Sequence, residues 1–375
     1  MFKKSLAAIA VLGTAAGFAC AADVTLYGVV DEGFVFEKTK MEAQGLATEK
    51  ENAFGLQSGV SASSRFGLKG SEDLGNGLKV GFKLENGFRA DSGELKSSSR
   101  IFDREASVTL SGDFGALSMG RMGGVGSSAG VDAVYSTADA FDGGDNNVLG
   151  LAISDRYDNM VQYQTPVFAG VQGTFQYSFK QDAKAEEARE GSAAANRYMG
   201  AALNGSFGPV QAVLGYEFFN YASNNGSVAY DVEDGQIVYL GGNYDCGFAK
   251  TFVMAQYFKD LNAAQLAAVK DYDDFEGGVY EGYGLHLGTQ FAALAGDFTI
   301  GAYYVDGNTV AETSAAERDL TYYGLGARYE YALSKRTGLY TGVGYGKTKQ
   351  EAENRGDKDT TAEVTQAYVG LVHKF

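Results

Sequence analysis

The connections between the strand-like segments of this chain alternate strictly between short and long. Seven short connections have the composition of tight turns and lie at residues 72–77, 112–115, 165–170, 206–209, 245–247, 292–297 and 332–336. Eight long polar connections lie between them, at residues 38–61, 91–100, 123–155, 181–195, 220–234, 259–280, 306–319 and 348–361. These connections join sixteen segments, and their alternation places all short ones at one end of a sheet and all long ones at the other.

The segments themselves alternate between apolar and polar residues. In LKVGFKLE, residues 78–85, the apolar side chains occupy every second position, and residues 171–180 and 323–331 repeat the pattern. Because successive side chains of a strand point to opposite faces, each segment is predicted to be a strand with one apolar and one polar face.

The strict alternation of short and long connections distinguishes between two architectures that both use such strands. A soluble β-sandwich does not require this alternation, whereas outer-membrane barrels have short turns on one side and long loops on the other. The 52 Gly, 24 Tyr, 24 Phe and 2 Pro suit many short strands with aromatic ends. No later run of about 18 apolar residues exists, which excludes a helical span. We predict an all-β fold, a closed antiparallel transmembrane β-barrel of sixteen strands with long extracellular loops and short periplasmic turns.

The predicted barrel must close because the hydrocarbon core of a membrane offers no hydrogen-bond partners to a sheet edge. Unpaired backbone groups at a sheet edge are costly there, so the first strand, Val24–Glu37, must pair with the last, Glu363–Phe375. At this strand number the interior is too wide for side chains to fill, and it should hold water.

The first 21 residues have the pattern of a secretory signal peptide. Two lysines precede an apolar run from Leu6 to Phe18 and a small-residue cleavage site at 19–21. A lipoprotein interpretation through Cys20 is weaker, because Gly17 stands where Leu is expected. The predicted barrel domain is residues 22–375, exported to the outer membrane. Without Lys3 and Lys4 its net charge falls from −16 to −18, which argues against nucleic-acid binding. Cys246 is then the only cysteine, so neither a disulfide nor a cysteine-based metal site is expected, and no cofactor is predicted.

The longest connection, residues 123–155, is the predicted constriction loop, folded into the lumen. It contains no Lys or Arg, whereas the strands before it are rich in cations. We expect an acidic side formed by Asp132, Asp139, Asp142, Asp145 and Glu85. We expect a basic side formed by Arg65, Lys69, Lys79 and Lys83. Opposed rows of charge in a narrow opening focus a field across it.

Several stretches carry a family resemblance. They are DVTLYGVVDE at residues 23–32, SRFGLKG at 64–70, RYDNMVQYQTP at 156–166, YEYALSKRTGLY at 329–340 and VGLVHKF at 369–375. Together they resemble the general-diffusion trimeric porins of Gram-negative outer membranes. The resemblance implies a homotrimer with one pore per subunit and passive passage of small hydrophilic solutes. It also implies contact with outer-membrane lipid and lipopolysaccharide, and a last strand, ending at Phe375, that the barrel-insertion machinery reads.

The resemblance also assigns roles to single residues. Arg65 matches a constriction arginine, Lys83 and Glu85 match lumen positions, and AFDGGD at 140–145 resembles the tip of the inward loop. The family aims Arg104 and Arg121 into the pore, whereas strict alternation would turn both outward. Strands at a subunit interface can relax that rule, so both are kept among the expected constriction residues. A further wall arginine of some members has no counterpart in VLGLAISD, residues 148–155.

Other patterns keep alternatives open. GSSAG around Ser128 matches a hydrolase nucleophile motif, but it lacks the strand–turn–helix context, and neither His286 nor His373 is placed to serve it. The acidic run 271–278 fails the spacing of a calcium loop, and Leu261–Lys270 has the spacing of a short surface helix. A substrate-specific channel, and less favourably an outer-membrane enzyme, remain alternatives to a general pore.

Overall fold

The computed structural model describes residues 23–131, 133–143, 148–184, 189–192, 194–221, 233–269, 278–310, 317–352 and 359–375. The proposed signal peptide, residues 1–21, lies outside this range, as do Asp132, Asp145 and most of the acidic run 271–278. In the described residues, no helix reaches the length and apolarity that a membrane crossing would need.

One antiparallel sheet accounts for nearly all of the regular structure. Its strands are β1 (Asp23–Ala43), β2 (Glu49–Ser58), β3 (Arg65–Gly75), β4 (Leu78–Gly87), β5 (Glu105–Gly112), β6 (Gly115–Gly123), β7 (Arg156–Gln164), β8 (Val171–Ser178), β9 (Arg197–Phe207), β10 (Val210–Asn220), β11 (Gly235–Asp245), β12 (Ala249–Asn262), β13 (Val279–Ala293), β14 (Gly296–Thr309), β15 (Arg318–Ala332), β16 (Thr337–Ala352) and β17 (Thr360–Lys374). A single helical turn, α1 (Tyr135–Ala138), lies in the third long loop. The seven predicted short turns are confirmed.

The seventeen strands occupy sixteen positions around the barrel, as predicted. β2 pairs with residues 32–41 of β1, and β3 pairs with residues 23–29 on the same side of β1. β2 and β3 therefore lie end to end, as one strand interrupted at residues 59–64.

A buried carboxylate holds this interruption in place. Asp31 of β1 is fully buried, and its side chain accepts hydrogen bonds from the backbone N–H groups of Ser61 and Ala62 and from the hydroxyl of Tyr340. The bend turns into the lumen, where Val60 packs against the buried cluster of Val35, Tyr340 and Tyr368.

The sheet closes where the first and last strands meet. β1 and β17 pair from Val29–Lys374 to Ala43–Thr360, and Gly28 exchanges two backbone hydrogen bonds with Phe375. The predicted pairing of the first strand with the last is confirmed. Closure leaves no sheet edge in contact with lipid.

The two faces of the barrel differ as the alternation predicts. Leu240, Leu287 and Leu325 are among the apolar side chains left exposed on the outside. The polar side chains of Gln162, Gln176, Gln256 and others on the alternate positions point inward.

Two predicted irregular segments have a different structure. Most of residues 38–61, expected to be a loop, forms the upper parts of β1 and β2, joined by a short turn at 44–48. These strand ends are polar on both faces, for example at Lys38 on the outer face and Thr39 on the inner face, so their sequence resembles that of a loop. The helix expected at Leu261–Lys270 is also wrong: β12 continues to Asn262 and a 3-10 turn, Ala263–Gln265, follows.

Candidate channel constriction

The third loop, residues 123–155, folds into the barrel as predicted. Most of its apolar side chains are almost completely shielded, with exposed fractions of 0–2%, and they pack on the inner face of the half-barrel from β9 to β15. They include Val134, Tyr135, Ala138, Phe141, Val148 and Leu151. The loop therefore covers one half of the wall and leaves the lumen open towards β16, β17 and β1 to β5.

Glycines on the inner face provide the space for the loop. A Cβ atom built on Gly241 would lie 2.6 Å from the Cβ of Ala138, and one on Gly326 would lie 2.9 Å from Val148. Both distances are too short for non-bonded carbon atoms, so these strands accept the loop only without a side chain at these positions.

A buried glutamate anchors the start of the loop. Glu217 on β10 is fully buried and accepts hydrogen bonds from the hydroxyls of Tyr198 (2.6 Å) and Tyr239 (2.7 Å) and from the backbone N–H of Gly126 (3.0 Å). A buried carboxylate needs such donors, and one of them belongs to the loop.

A second polar network holds the loop near its tip. Asp139 accepts the hydroxyl of Tyr303 and the backbone N–H groups of Phe141 and Gly143. The backbone N–H of Ala140 donates to Nε2 of His286 (3.1 Å), whose Nδ1 lies 3.1 Å from the carbonyl oxygen of Ala302. This pattern assigns the neutral imidazole with its proton on Nδ1. The side chains of Asp139 and His286 are completely shielded, so Asp139 anchors the loop and does not line the opening.

The opposite wall carries a cluster of cations around one carboxylate. Glu85 accepts hydrogen bonds from Nε of Arg104 (2.7 Å) and from the hydroxyl of Tyr27 (2.9 Å). Its carboxylate also lies 3.8 Å from Nε of Arg65 and 3.9 Å from Nζ of Lys83. The expected position of Glu85 on an acidic side is wrong, because it lies within the basic wall.

Arg104 reaches this cluster despite its apparent outward parity. It precedes the first residue of β5, Glu105, so strand alternation does not fix its direction. Arg121 donates instead to Oδ1 of Asp158 (2.7 Å) and to the carbonyl oxygen of Asp103 (2.7 Å), next to a register shift between β6 and β7.

Two further cations near the cluster were missed from the sequence. Arg156 follows the loop directly and interacts electrostatically with Arg104 and Arg121. Lys96, in the connection between β4 and β5, has its pKa lowered by burial and by the charges of Arg104 and Arg156. Arg156 is the first residue of RYDNMVQYQTP and directly follows VLGLAISD, the segment in which the family resemblance implies a wall arginine.

The remaining predicted residues lie apart from this cluster. Lys69 and Lys79 are exposed on the same wall, nearer the short turns, and Lys79 pairs in register with Ser111. Asp142 is exposed on the loop, in a left-handed conformation with φ of 55°. Asp132 and Asp145 lie outside the described residues. Within the described chain, no hydrogen bond joins Ser128 to a histidine, and no His, Cys, Asp or Glu cluster is suited to a metal ion.

A closed sheet with an apolar exterior, a polar lumen and one inward loop defines a channel-forming barrel of the outer membrane. The sequence model of a family described as Gram-negative porin matches residues 6–351. The chain belongs to this family and is an outer-membrane channel for the passive diffusion of solutes.

Individual proteins agree with this assignment. An outer membrane porin protein of Bordetella pertussis is 31% identical over 417 aligned residues, which cover 100% of both chains. Outer membrane porin protein 32 of Delftia acidovorans is 31% identical over 274 residues, covering 68% of this chain and 70% of that protein. Among solved structures, an anion-selective porin from Comamonas acidovorans is 25% identical, with a TM-score of 0.62, covering 94% of this chain and 100% of that one.

Proposed function

We propose that this porin favours anions over cations, although the chain as a whole is acidic. The observation that supports this is the cation-rich wall of β3 to β7. Cations still outnumber carboxylates in it when the connections next to these strands are included: Arg65, Lys69, Lys83, Lys96, Arg104, Arg121 and Arg156 face Glu85, Asp103, Glu105, Asp155 and Asp158.

The position of the loop carboxylates supports the same proposal. Asp139 is used to anchor the loop and is shielded from the lumen, which leaves Asp142 and Asp155 as the exposed loop carboxylates in the described residues, and Asp155 lies 3.7 Å from Arg156. A water-filled opening bordered by low-dielectric walls raises the local concentration of ions opposite in charge to its lining. The structural relative described as an anion-selective porin is consistent with this sign.

Current recordings of the mature protein in planar bilayers test the proposal. In a KCl gradient, we expect the reversal potential to have the same sign as the equilibrium potential of chloride. A reversal potential set by potassium would overturn the proposed preference. Salt above about 1 M should weaken the preference, because the screening length then falls to about 3 Å.

We also propose that the functional unit is a homotrimer. One structural relative, an outer membrane protein of Vibrio cholerae, is described as a trimer form; at 17% identity, its similarity to this chain supports the fold alone. Glu32 adds an observation from this chain. It lies on the outward face of β1 between Val30 and Phe34, and neither carboxylate oxygen has a hydrogen-bond partner within the described residues. The charges that act on it are Asp31 and Asp91, which are both negative. Both oxygens are covered by the chain's own atoms in the single subunit, where an unpaired carboxylate is costly. A rotation of this side chain towards the outside would bring it to a donor on a neighbouring subunit, which lipid does not offer.

Three further proposals concern export and insertion. Residues 1–21 direct export as a signal peptide. The barrel contacts lipid and lipopolysaccharide through its apolar exterior. The insertion machinery recognises the last strand, whose terminal Phe375 places its ring over Gly28 of β1. Deleting Phe375 should lower the amount of folded barrel in the outer membrane, measured by its shift on electrophoresis without heating.

A further inference from the structure

One register row on the basic wall places two lysines side by side. Thr25 pairs with Lys69, Lys69 with Lys83, and Lys83 with Ser107, across β1, β3, β4 and β5. Directly opposed residues share a face of the sheet, with Cβ atoms about 5 Å apart. The row lies on the lumen side, closer to the short turns than the Glu85 cluster.

A cavity of about 460 Å³ opens over this row. Its lining includes all four residues of the row, together with Glu105, Ser71, Gly81 and Thr109. Gly81 lies on the same face of β4 as Lys83, so its missing side chain leaves the floor of the cavity open. The volume is within the range of small-molecule sites and accommodates a small polyatomic solute.

The two ammonium groups are not equally neutralised. Nζ of Lys83 donates to Oε2 of Glu105 at 2.7 Å. Within the described residues, Lys69 forms no ion pair, and its Nζ lies 5.2 Å from the ring centroid of Tyr27. Lys69 therefore carries the uncompensated charge of the row, and an anion bound above it would neutralise that charge.

Hydroxyl groups surround the uncompensated charge. In the described part of the chain, the side chains of Thr25 and Ser71 have no hydrogen-bond partner, and both border the cavity beside Lys69. An oxyanion presents several acceptor oxygens at once, so it can accept from the ammonium group and from these hydroxyls together. Chloride is a single spherical ion, so it forms fewer hydrogen bonds at once with donors that are spread over two strands.

We propose that this cavity is a binding site for oxyanion solutes, namely phosphate and small carboxylates, on the periplasmic side of the arginine cluster. The proposal rests on the proposed anion preference and adds a solute class to it. Lys69 provides the charge, Thr25 and Ser71 provide hydroxyl donors, and Gly81 provides the space. The cavity opens to the lumen, and binding is weak enough for the solute to leave, as conduction requires.

Inorganic phosphate is the probe for the test. Chloride current through the mature protein in planar bilayers is recorded while phosphate is added at constant ionic strength. We expect the current to fall along a saturating curve. In Lys69→Gln, the half-blocking phosphate concentration should rise by about tenfold, because a charge-assisted contact is lost.

Lys79→Gln is the matched control. It removes the same charge from the same wall, but Lys79 does not line the cavity. Its half-blocking concentration should stay close to that of the unchanged protein. Equal weakening by both variants would mean that phosphate responds only to the general field of the wall, and the site would be refuted.

The reversal potential in a KCl gradient separates the two proposals. If the channel is anion-selective but phosphate lowers the current without saturation, the binding site fails and the anion preference stands. If the reversal potential follows potassium, the anion preference fails, whereas a saturating block that Lys69→Gln removes would still support the site. Barrel closure in each variant is checked by its electrophoretic shift on heating.

Discussion

At the scale of single residues, Glu85 sets how much positive charge the wall presents. It accepts a hydrogen bond from Arg104 and lies within 4 Å of Arg65 and Lys83. Glu85→Gln keeps the shape of the side chain and removes one negative charge. We expect a stronger anion preference, measured as a larger reversal potential in a KCl gradient. Glu363→Gln is the control, because Glu363 pairs with Lys347 on the outer face. A shift of the same size in both variants would contradict a local effect.

The loop carboxylates predict a change in the same direction. Replacing Asp142 and Asp145 together with Ala should raise anion preference while the barrel stays intact. Unchanged ion selectivity would argue against the proposed placement of the loop tip beside the opening. Asp139→Ala should behave differently, because this side chain is shielded and bonded to Tyr303. It should make the current noisier through a loosened loop.

The sequence predicts the side-chain direction of some site residues and not of others. Lys83 and Arg65 could be placed on the lumen side because strand alternation fixes the direction of their side chains. Asp139 could not be placed, because a loop has no period that decides which side chains face the wall. Glu85 was correctly placed on the lumen face, but two of its cationic neighbours come from elsewhere: Arg65 from β3, whose register with β4 the sequence does not state, and Arg104 from the connection before β5.

At the scale of elements, the fit between loop and wall depends on missing side chains. Gly241→Val would place new methyl groups where Ala138 of the loop now lies. We expect the loop to move into the lumen and single-channel conductance to fall. Ala255→Val adds the same kind of bulk on the outward face of β12, next to the wall, and should leave conductance unchanged. Equal conductance in all three proteins would mean that the loop does not set the width.

The interrupted second strand predicts a local loss of stability. In Asp31→Asn, one carboxylate oxygen that now accepts backbone N–H groups is replaced by an amide donor. We expect a loss of about 1–3 kcal/mol in unfolding free energy, because buried donors lose their acceptor. Urea unfolding in detergent measures the loss, and hydrogen exchange should accelerate first at Ser61 and Ala62. Asp245→Asn, in an exposed turn, is the control.

The number of strands could be predicted from the connections, but their lengths could not. Lys38 and Lys40 lie on the outer face of β1, beyond the part of the strand that faces hydrocarbon. Water surrounds the barrel there, so the outer face no longer needs apolar side chains and the alternation of apolar and polar residues ends. The sequence pattern ends there, whereas backbone pairing with Glu363 and its neighbours continues.

At the scale of the whole molecule, a substitution of Glu32 tests whether the outer face of β1 contacts a neighbouring subunit or lipid. If a neighbouring subunit supplies its partner, Glu32→Gln should lower the temperature at which the oligomer dissociates on native electrophoresis. If β1 faces lipid there, removing an unpaired charge should leave that temperature unchanged or raise it. The Glu363→Gln protein again serves as the control.

The seam of the barrel and the width of its lumen depend on the same contacts. Tyr340 and Tyr368 belong to the last two strands, yet they support Val60, and Tyr340 also bonds to Asp31 near the start of the chain. The inward bend at residues 59–64 therefore acquires its support only after the final strands have been synthesised and docked. A chain truncated before these strands would therefore lack the contacts that hold the inward bend, and the lumen would not acquire its final shape on this side.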